Sequence, residues 1–283
     1  MDGVIIVNKP KGITSRDVVN KLCKILGTKK IGHTGTLDPI ATGVLVLCIG
    51  KATKLVEILT SDDKEYIAEV KLGVLTDTLD TEGNILREEK KSITKKRLEE
   101  VIKSFVKEYE QEVPIYSAVK IDGKRLYEYA RENKNVELPY RKVNIKKIEL
   151  LEYDNDSYKF KTLVSKGTYI RSLIKDINDE LGVIGVMSSL KRTKQGIFDI
   201  KDSYSIEAIE NNDYTILSIT DVLKNDDCVI VDDNLYKVIK NGGLLDNIYS
   251  KRRVTFMYKN EVIAIYKVYD KDNTKLKPYK MFI

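Results

Sequence analysis

The residues best suited to chemistry lie in a polar, glycine-rich segment, GHTGTLDPIATG, at positions 32–43. The segment contains one carboxylate, Asp38, and the only histidine of the chain, His33. The apolar run Val44–Ile49 follows and has the length of a strand buried on both faces. A loop of small residues anchored on a rigid strand allows a ligand backbone to approach closely. An Asp before a Pro is commonly only a turn or cap residue, so this loop alone leaves the role of Asp38 open.

The motifs of most cofactor and metal enzymes are missing from the sequence. There is no GxxxxGKS or GxxxxGKT phosphate loop, no GxGxxG and no HExxH. A single histidine excludes a metal site with several histidines and any Ser–His–Asp arrangement that does not use His33. The three cysteines, Cys23, Cys48 and Cys228, are far apart and form no CxxC, which excludes a disulfide framework and a thiolate zinc site. We therefore expect a protein without cofactor or metal in a reducing cytoplasm.

The composition is that of a globular protein with a sizeable core. The 283 residues suggest one large domain or two unequal ones, since domains usually have about 100–200 residues. Apolar residues make up 42% and the net charge is +6, which is ordinary for a globular chain. No apolar run approaches the roughly 20 residues of a membrane span, and the first residues, MDGVIIVNKP, lack a basic leader. We expect neither a membrane span nor a signal peptide.

The elements that must position the loop are marked by hydrophobic periodicity. Gly3–Val7 is predicted to be a short buried strand, and Ser15 is predicted to N-cap a helix that ends at Gly27. The apolar face of this helix is formed by Val18, Val19, Leu22, Cys23 and Leu26. After the buried run, a second helix is predicted from Ala52, Leu55, Val56 and Leu59.

Two further strands and two further helices are predicted in the middle of the chain. Alternating residues place Tyr66 on the less charged face of a strand at 66–72. Thr94 is predicted to cap a helix with apolar residues at helical spacing, namely Leu98, Val101, Ile102, Phe105 and Val106. A strand at 158–164 turns at Gly167 into a helix that carries Ile170, Leu173, Ile174, Ile177 and Leu181.

The chain after about residue 220 has the pattern of a small, basic β-domain. This pattern predicts only short strands, at Cys228–Val231, Val254–Tyr258, Val262–Tyr269 and Leu276–Phe282. The domain boundary is predicted in the stretch Leu223–Asp227. Residues 251–283 carry nine basic and three acidic side chains. Such a stripe is commonly a solvated face, and the alternative is a surface that contacts the phosphate backbone of a nucleic acid.

The segment GHTGTLDPIATGVL at 32–45 resembles the catalytic-loop signature of the TruB-type tRNA pseudouridine synthases. Six further segments match the family in the same order, namely VNKPKGITS (7–15), KEYIAEVKLG (64–73), TDTLDTEG (76–83), PIYSAVKIDGKRLYEYAR (114–131), SKGTYIRSLIKDI (165–177) and SSLKRT (188–193). The basic tail, which ends in LKPYKMF, resembles a PUA domain, a common RNA-binding module. Two positions depart from the family pattern: Val113 replaces the first of two prolines, and Asn133 stands where a glycine is common.

The resemblance implies a fold, a division into domains and a reaction. The expected fold is α+β, with a mixed, largely antiparallel sheet flanked by helices and a small C-terminal β-barrel-like PUA domain. The implied domains are a pseudouridine synthase catalytic domain at 1–223 and a PUA-like RNA-binding domain at 224–283. The implied reaction is the isomerisation of uridine 55 in the T loop of tRNA to pseudouridine, without a cofactor.

The resemblance also implies a partner, which is tRNA. Its T-arm would meet the catalytic domain, and its acceptor end would meet the C-terminal domain. Recognition of a splayed loop base is the usual way in which proteins read RNA sequence. No obligatory protein partner, metal or membrane is implied, and the protein is expected to act as a cytoplasmic monomer.

Three residues receive roles in the chemistry by this resemblance. Asp38 is the implied catalytic carboxylate, and attack on C1′, attack on C6 and removal of the C2′ proton all remain open. Arg171 matches the family arginine that pairs with this aspartate and would keep it charged. Tyr66 would lie against the target ring and is a candidate to accept the C5 proton, directly or through water.

Three residues match substrate-binding positions of the family, in addition to Tyr66. Tyr169 and Leu190 match positions of the substrate pocket. His33 matches the residue that fills the stack left by the extruded base. Extruding a base costs energy, and it costs less from a loop than from a duplex.

Two other classes of function remain open from the residues. The first is a non-catalytic RNA-binding or RNA-folding protein, in which the basic tail binds and Asp38 is a turn residue. The second is a nucleoside hydrolase or glycosylase that uses Asp38 against a sugar C1′. Product analysis separates the second from an isomerase, because hydrolysis frees uracil whereas isomerisation conserves the mass of the RNA.

Overall fold

The computed structural model describes residues 1–224, 226, 228–249 and 251–283. Up to residue 224 its strands and α-helices are β1 (Gly3–Lys9), α1 (Ser15–Ile25), β2 (Ile31–His33), β3 (Ala41–Ile49), α2 (Val56–Thr60), β4 (Lys64–Leu72), β5 (Val74–Thr76), β6 (Ile85–Glu88), α3 (Lys95–Ser104), β7 (Glu108–Glu112), β8 (Lys120–Ile121), β9 (Lys124–Arg125), α4 (Leu126–Arg131), β10 (Tyr140–Tyr153), β11 (Ser157–Val164), α5 (Ile170–Leu181), β12 (Gly185–Gln195), β13 (Phe198–Asp199), α6 (Ile206–Glu210) and α7 (Ile219–Leu223). The remaining elements are β14 (Cys228–Ile230), α8 (Asp233–Lys240), β15 (Leu245–Asp246), β16 (Arg253–Tyr258), β17 (Glu261–Tyr269) and β18 (Asp272–Met281). No helix within these described ranges is both long and apolar enough to cross a membrane.

A mixed sheet of nine strands forms the larger part of the molecule. Its central order is β1-β3-β12-β4-β11-β10-β7, and β2 and β13 pair with β3 and β12. Neighbouring strands are antiparallel except β3 and β12, which run parallel. The prediction of an α+β fold with a largely antiparallel sheet is confirmed.

Strand β3 is buried on both faces, as its continuous apolar sequence predicts. On one side Leu45 and Leu47 pack with residues of the helices α1, α3 and α5 in the larger core. On the other side Val44 and Val46 belong to a second core. The strand that follows the glycine-rich loop is therefore held between two hydrophobic layers, which makes it a rigid support for that loop.

The C-terminal residues form a five-stranded sheet that curls into a half-barrel, with the order β14-β16-β17-β18-β15. This sheet has a core of its own, which includes Val254, Phe256, Tyr266 and Leu276. Val262, Ile265 and Phe282 belong instead to the second core, together with Val44 and Val46. The C-terminal sheet therefore covers the face of β3 that lies opposite the helices.

The prediction that only strands follow residue 220 is wrong, because α7 continues to Leu223 and α8 lies between β14 and β15. Asp232 caps α8 by accepting a hydrogen bond from the Leu235 amide at 2.8 Å. The helix has only eight residues and buries only Ile239 fully. The predicted boundary stretch Leu223–Asp227 includes positions 225 and 227, which lie outside the described residues.

The helix α1 is capped by Thr14, and the prediction of Ser15 as the cap is wrong. The Thr14 hydroxyl accepts from the Asp17 amide at 3.0 Å, and the Asp17 carboxylate accepts from the Thr14 amide at 2.9 Å. This reciprocal pair is a capping box. It leaves Ser15 in the first turn, where its side chain is buried. The predicted end of the helix is confirmed, since Gly27 has a φ of +61°.

Three further expectations need adjustment. The glycine-rich loop spans only residues 34–40, because β2 and β3 take up both ends of the predicted segment. The helix predicted from Ala52 onward begins as a 3-10 helix over Gly50–Leu55 before α2. Val106 lies beyond the end of α3 and is exposed. Asn133, at a position where the family commonly has glycine, has a φ of +51°, a conformation that asparagine tolerates better than most residues.

Gly43 provides a test of how closely β3 and β12 approach each other. A Cβ atom at Gly43 would lie 2.2 Å from the carbonyl oxygen of Arg192, and the φ of Gly43 is +98°. We expect Gly43→Ala to lower the free energy of unfolding by about 3 kcal/mol or more, because it adds a backbone clash to conformational strain. Urea denaturation of the full chain measures this change.

Gly12→Ala is the matched control for Gly43→Ala. Gly12 has a φ of +90° but nothing within 4 Å of its added Cβ, so the substitution introduces strain without the clash. We expect it to cost about 1–2 kcal/mol. Equal losses in the two variants would show that β3 and β12 separate easily and do not constrain each other.

Candidate active site

The carboxylate of Asp38 forms an ion pair with Arg171, the residue that the family resemblance places beside it. The Arg171 Nε atom lies 3.1 Å from Asp38 Oδ2. The Arg171 side chain is only 6% exposed, whereas the Asp38 side chain is 35% exposed. The guanidinium is therefore fixed inside the protein, and the carboxylate keeps a surface that a ligand can reach.

Two further donors of the Arg171 guanidinium bind backbone carbonyls. Nη1 donates to the carbonyl of Thr78 at 2.9 Å, and Nη2 donates to the carbonyl of Tyr116 at 3.0 Å. Arg171 lies in the first turn of α5, where the helix dipole disfavours a cation and favours an anion. Asp38 and the two carbonyls supply the negative charge that a buried cation needs at this place.

The backbone on both sides of Asp38 is tied to the chain segment before α1. The buried Ser15 hydroxyl accepts from the Leu37 amide at 2.8 Å and donates to the Leu37 carbonyl at 3.1 Å. On the other side, the Pro39 carbonyl accepts from the Gly12 amide at 2.8 Å. The two residues that flank Asp38 are thus held in place, and these backbone contacts add to the ion pair with Arg171 in orienting the carboxylate.

Lys9 lies under the same part of the loop and is completely buried. Its ammonium donates to the carbonyls of Ile13 at 2.7 Å, Pro10 at 2.9 Å and Pro39 at 3.4 Å. Burial lowers the pKa of Lys9 to about 8, and the nearby charge of Asp38 acts in the opposite direction. Lys9 is the last residue of β1, and the sequence analysis did not single it out.

The first half of the loop is held from the other side by β12. Arg192, which is 1% exposed, donates from Nε to the Val44 carbonyl at 2.6 Å and from Nη2 to the Gly35 carbonyl at 3.0 Å. Gln195 donates to the Thr34 hydroxyl at 2.5 Å. Both residues lie more than 140 positions from the loop, so sequence reasoning had no local signal for them.

A cleft of 730 Å³ opens beside the loop and brings together three of the predicted site residues. His33, Tyr66 and Tyr169 all line it, together with Thr36, which is two residues before Asp38. Leu190 does not line this cleft, but the sheet register places it opposite Ala41 in β3 and Ala68 in β4. Tyr66 is 8% exposed, so only a small part of its ring is accessible.

The cleft is lined by basic side chains, of which Lys142 pairs with Glu108 at 2.7 Å. Its lining includes five basic side chains, those of Lys64, Arg141, Lys142, Lys166 and Arg192. Not one of the described residues around it is an aspartate or a glutamate. A concave surface lined by one sign of charge concentrates ligands of the opposite sign, and the cleft is therefore suited to a polyanion.

His33 is held in its neutral form at the edge of the cleft. Burial is the main reason that its pKa is lowered from the ordinary value, and the charges of Arg16 and Arg192 add to the effect. The Nδ1 atom has no hydrogen-bond partner in the part of the chain that the structure describes. A neutral imidazole without a fixed partner is suited to stacking against a base.

Comparisons with known proteins decide the family of this chain. Residues 23–170 match the family model for the N-terminal domain of the TruB family of pseudouridylate synthases. The tRNA pseudouridine synthase B of Fusobacterium nucleatum is 42% identical over 290 residues, which cover all of both chains. The enzyme of the same name from Bacillus cytotoxicus is 41% identical over all of this chain and 98% of its own. The chain belongs to the TruB family.

A solved structure supports the TruB fold along nearly the whole chain. It is that of a Cbf5–Nop10–Gar1 complex, in which the matching chain has a TM-score of 0.76 and 27% identity. The match covers 99% of this chain and 85% of the other. The similarity to this structure therefore includes the C-terminal half-barrel as well as the nine-stranded sheet that carries the glycine-rich loop.

Arg171→Lys tests whether the branched guanidinium of Arg171 is needed to hold Asp38 and the two carbonyls together. A lysine ammonium cannot reach Asp38 and the carbonyls of Thr78 and Tyr116 in the same geometry. We expect the free energy of unfolding to fall by about 2 kcal/mol, because two partly buried carbonyls lose their donors. Urea denaturation measures the loss.

Arg97→Lys is the control for the same chemical change at the surface. Arg97 pairs with Glu180 at 3.5 Å, and both side chains are more than half exposed. Exposed pairs contribute little to stability, so this variant should match the unchanged protein. If Arg97→Lys lowered the free energy of unfolding as much as Arg171→Lys, the guanidinium of Arg171 would have no special role.

Proposed function

We propose that this protein isomerises uridine 55 in the T loop of tRNA to pseudouridine, with Asp38 as the catalytic carboxylate. That the protein is a tRNA pseudouridine synthase, and thus an isomerase, follows from its family and from the names of its relatives. The observation that carries the specific proposal is the partly exposed carboxylate paired with buried Arg171 beside a cationic cleft. The position of the target uridine rests on the family resemblance.

The chemistry needs no group beyond the side chains of the site. The C1′–N1 bond of the target uridine breaks, the base turns, and C1′ bonds to C5, whose proton is released. Nothing is oxidised, and no atom is added to the RNA apart from the proton that N1 gains. Asp38 can attack C1′, attack C6 or remove the C2′ proton, and each of these roles uses the carboxylate that pairs with Arg171.

The other site residues receive roles that agree with their positions. Tyr66 lines the cleft from β4 and would lie against the target base, from which it can accept the C5 proton. Tyr169 would contact the target nucleotide from the start of α5, and Leu190 would support it from β12. His33, neutral and partly buried, would replace the extruded base in its stack.

The C-terminal half-barrel is proposed to act as a PUA-like module that contacts the acceptor end of tRNA. We assign residues 1–223 to the catalytic domain and 224–283 to this module. Part of its charge is already neutralised, since Lys275, Lys277 and Lys280 pair with acidic residues. We further propose that the protein acts as a cytoplasmic monomer without an obligatory protein partner, cofactor or metal.

Asp38→Asn tests the proposed chemistry directly. The amide keeps the shape of the carboxylate and removes its charge, so we expect pseudouridine formation in unmodified tRNA to be abolished. Binding of tRNA should be largely retained, because the cationic cleft is unchanged. Nucleoside analysis of the RNA measures the product, and a filter-binding titration measures the affinity.

The outcomes of this experiment separate the alternatives. Free uracil from the unchanged protein would indicate a glycosylase, and binding without any product would indicate a non-catalytic RNA-binding protein. Turnover by Asp38→Asn within about tenfold of the unchanged protein, a difference of only about 1.4 kcal/mol in the barrier, would remove Asp38 from the role of nucleophile or base. Pseudouridine at another tRNA position would overturn the assignment to uridine 55.

The role of the basic tail is tested by removing the charge of two of its side chains. Arg252 and Lys271 are exposed and form no ion pair within the described part of the chain. If they bind phosphates, the double variant Arg252→Gln and Lys271→Gln should flatten the slope of log affinity against log salt by roughly 0.7–0.9 for each phosphate that is no longer neutralised. A salt titration of tRNA binding measures the slope.

The matched control neutralises two lysines that already have acidic partners. Lys275 pairs with Asp246 and Lys277 pairs with Asp270. Since both charges are already compensated, Lys275→Gln with Lys277→Gln should change the slope less. Equal slopes in all three proteins would mean that the basic stripe is only a solvated face.

A further inference from the structure

The helix that carries Arg171 begins without a cap of its own. Tyr169 occupies the N-cap position, its side chain makes no capping hydrogen bond, and the first turn has no acidic residue. Helix starts usually satisfy their free amides with Ser, Thr, Asp or Asn at this position. The helix α5 lacks this local support at the place where Tyr169 lines the cleft and Arg171 meets Asp38.

Gln111, in the edge strand β7, supplies the missing support from outside the helix. Its Oε1 atom accepts from the Tyr169 amide at 2.8 Å, and its Nε2 atom donates to the Tyr169 carbonyl at 3.2 Å. The side chain is 1% exposed. In a capping box, a Glu or Gln of the helix itself bonds to the N-cap amide, and Gln111 makes the corresponding contact from a strand 58 residues earlier.

Two more contacts join β7 to the same helix. Gln111 also donates to the Tyr109 hydroxyl at 2.8 Å, which donates to the Asp176 carboxylate at 2.9 Å. The Ser172 hydroxyl donates to the Glu112 carbonyl at 2.8 Å. The helix is therefore held at positions 169, 172 and 176, a spacing that lies along one face. Contacts along one face fix the rotation of a helix about its axis.

We propose that Gln111 is a positioning residue for the active site. It fixes the backbone of Tyr169, and through it the ring of Tyr169 in the cleft and the start of the helix from which Arg171 reaches Asp38. Only an amide side chain can accept from one backbone group and donate to two oxygens at once in this geometry. This inference rests on the proposed function, since it assigns Gln111 to the reaction of that same site.

The test compares Gln111→Glu with the unchanged protein. Glutamate has the same shape and can still accept from the Tyr169 amide, but when ionised it cannot donate to the Tyr169 carbonyl or to Tyr109. We expect kcat for pseudouridine formation to fall about tenfold to a hundredfold, as small displacements of catalytic groups commonly cause. KM for tRNA should stay nearly unchanged, because the cationic lining of the cleft is intact.

Tyr158→Phe is the matched control on the same helix. The Tyr158 hydroxyl donates to Asn178 at 2.9 Å, and this buried bond lies near the far end of α5. Its loss should reduce stability and leave kcat unchanged at a temperature where the variant is folded. If Gln111→Glu lost no more kcat than Tyr158→Phe, Gln111 would be a structural residue only, and the proposal would be overturned.

Amide hydrogen exchange of the protein without RNA tests the contact independently of the reaction. The Tyr169 amide should exchange faster in Gln111→Ala than in the unchanged protein, and Tyr158→Phe should not change it. An unchanged exchange rate of the Tyr169 amide in Gln111→Ala would refute the contact between Gln111 and the start of α5. If the unchanged protein formed no pseudouridine while the exchange result held, the proposed function would fail and the contact would stand without a catalytic role.

Discussion

The pairing of a buried guanidinium with a single reachable carboxylate is the constraint on which the site depends. Arg171 is nearly inaccessible and stands at the positive end of a helix, so it needs acceptors on every side. Asp38, Thr78 and Tyr116 provide them from three separate segments. Any movement of one segment leaves a buried charge incompletely paired. The ion pair therefore also fixes the loop, the turn after β5 and the segment around Tyr116.

The loop is held through its backbone as well as through the ion pair of Asp38. Ser15 and Gly12 hold the residues on either side of Asp38, and Arg192 and Gln195 hold the beginning of the loop. This arrangement leaves the carboxylate free for a substrate while limiting its positions. Such preorganisation lowers the reorganisation that a reaction requires. As proposed, Gln111 holds the start of α5 through its backbone in the same way, and so positions Arg171, the other partner of the ion pair.

The two parts of the molecule are joined through the strand that supports the loop. One face of β3 packs against helices and the other against Val262, Ile265 and Phe282 of the C-terminal sheet. The C-terminal unit thus completes a core beneath the strand that supports the loop.

The sequence by itself determined the elements with strong periodicity, and its family motifs predicted Asp38, Tyr66 and Arg171 as site residues. Burial of β3 on two faces and the alternation around Tyr66 are local patterns, so they could be predicted. The cap of α1 was assigned to Ser15 and not to Thr14 because neighbouring polar residues compete as caps. The helix α8 was missed because it is only eight residues long and lies among short strands. Lys9, Gln111 and Arg192 emerged only from the tertiary structure. Most of their partners are backbone groups that the fold brings close. Every residue has the same backbone carbonyl, so the sequence does not reveal which carbonyl a buried donor will bind.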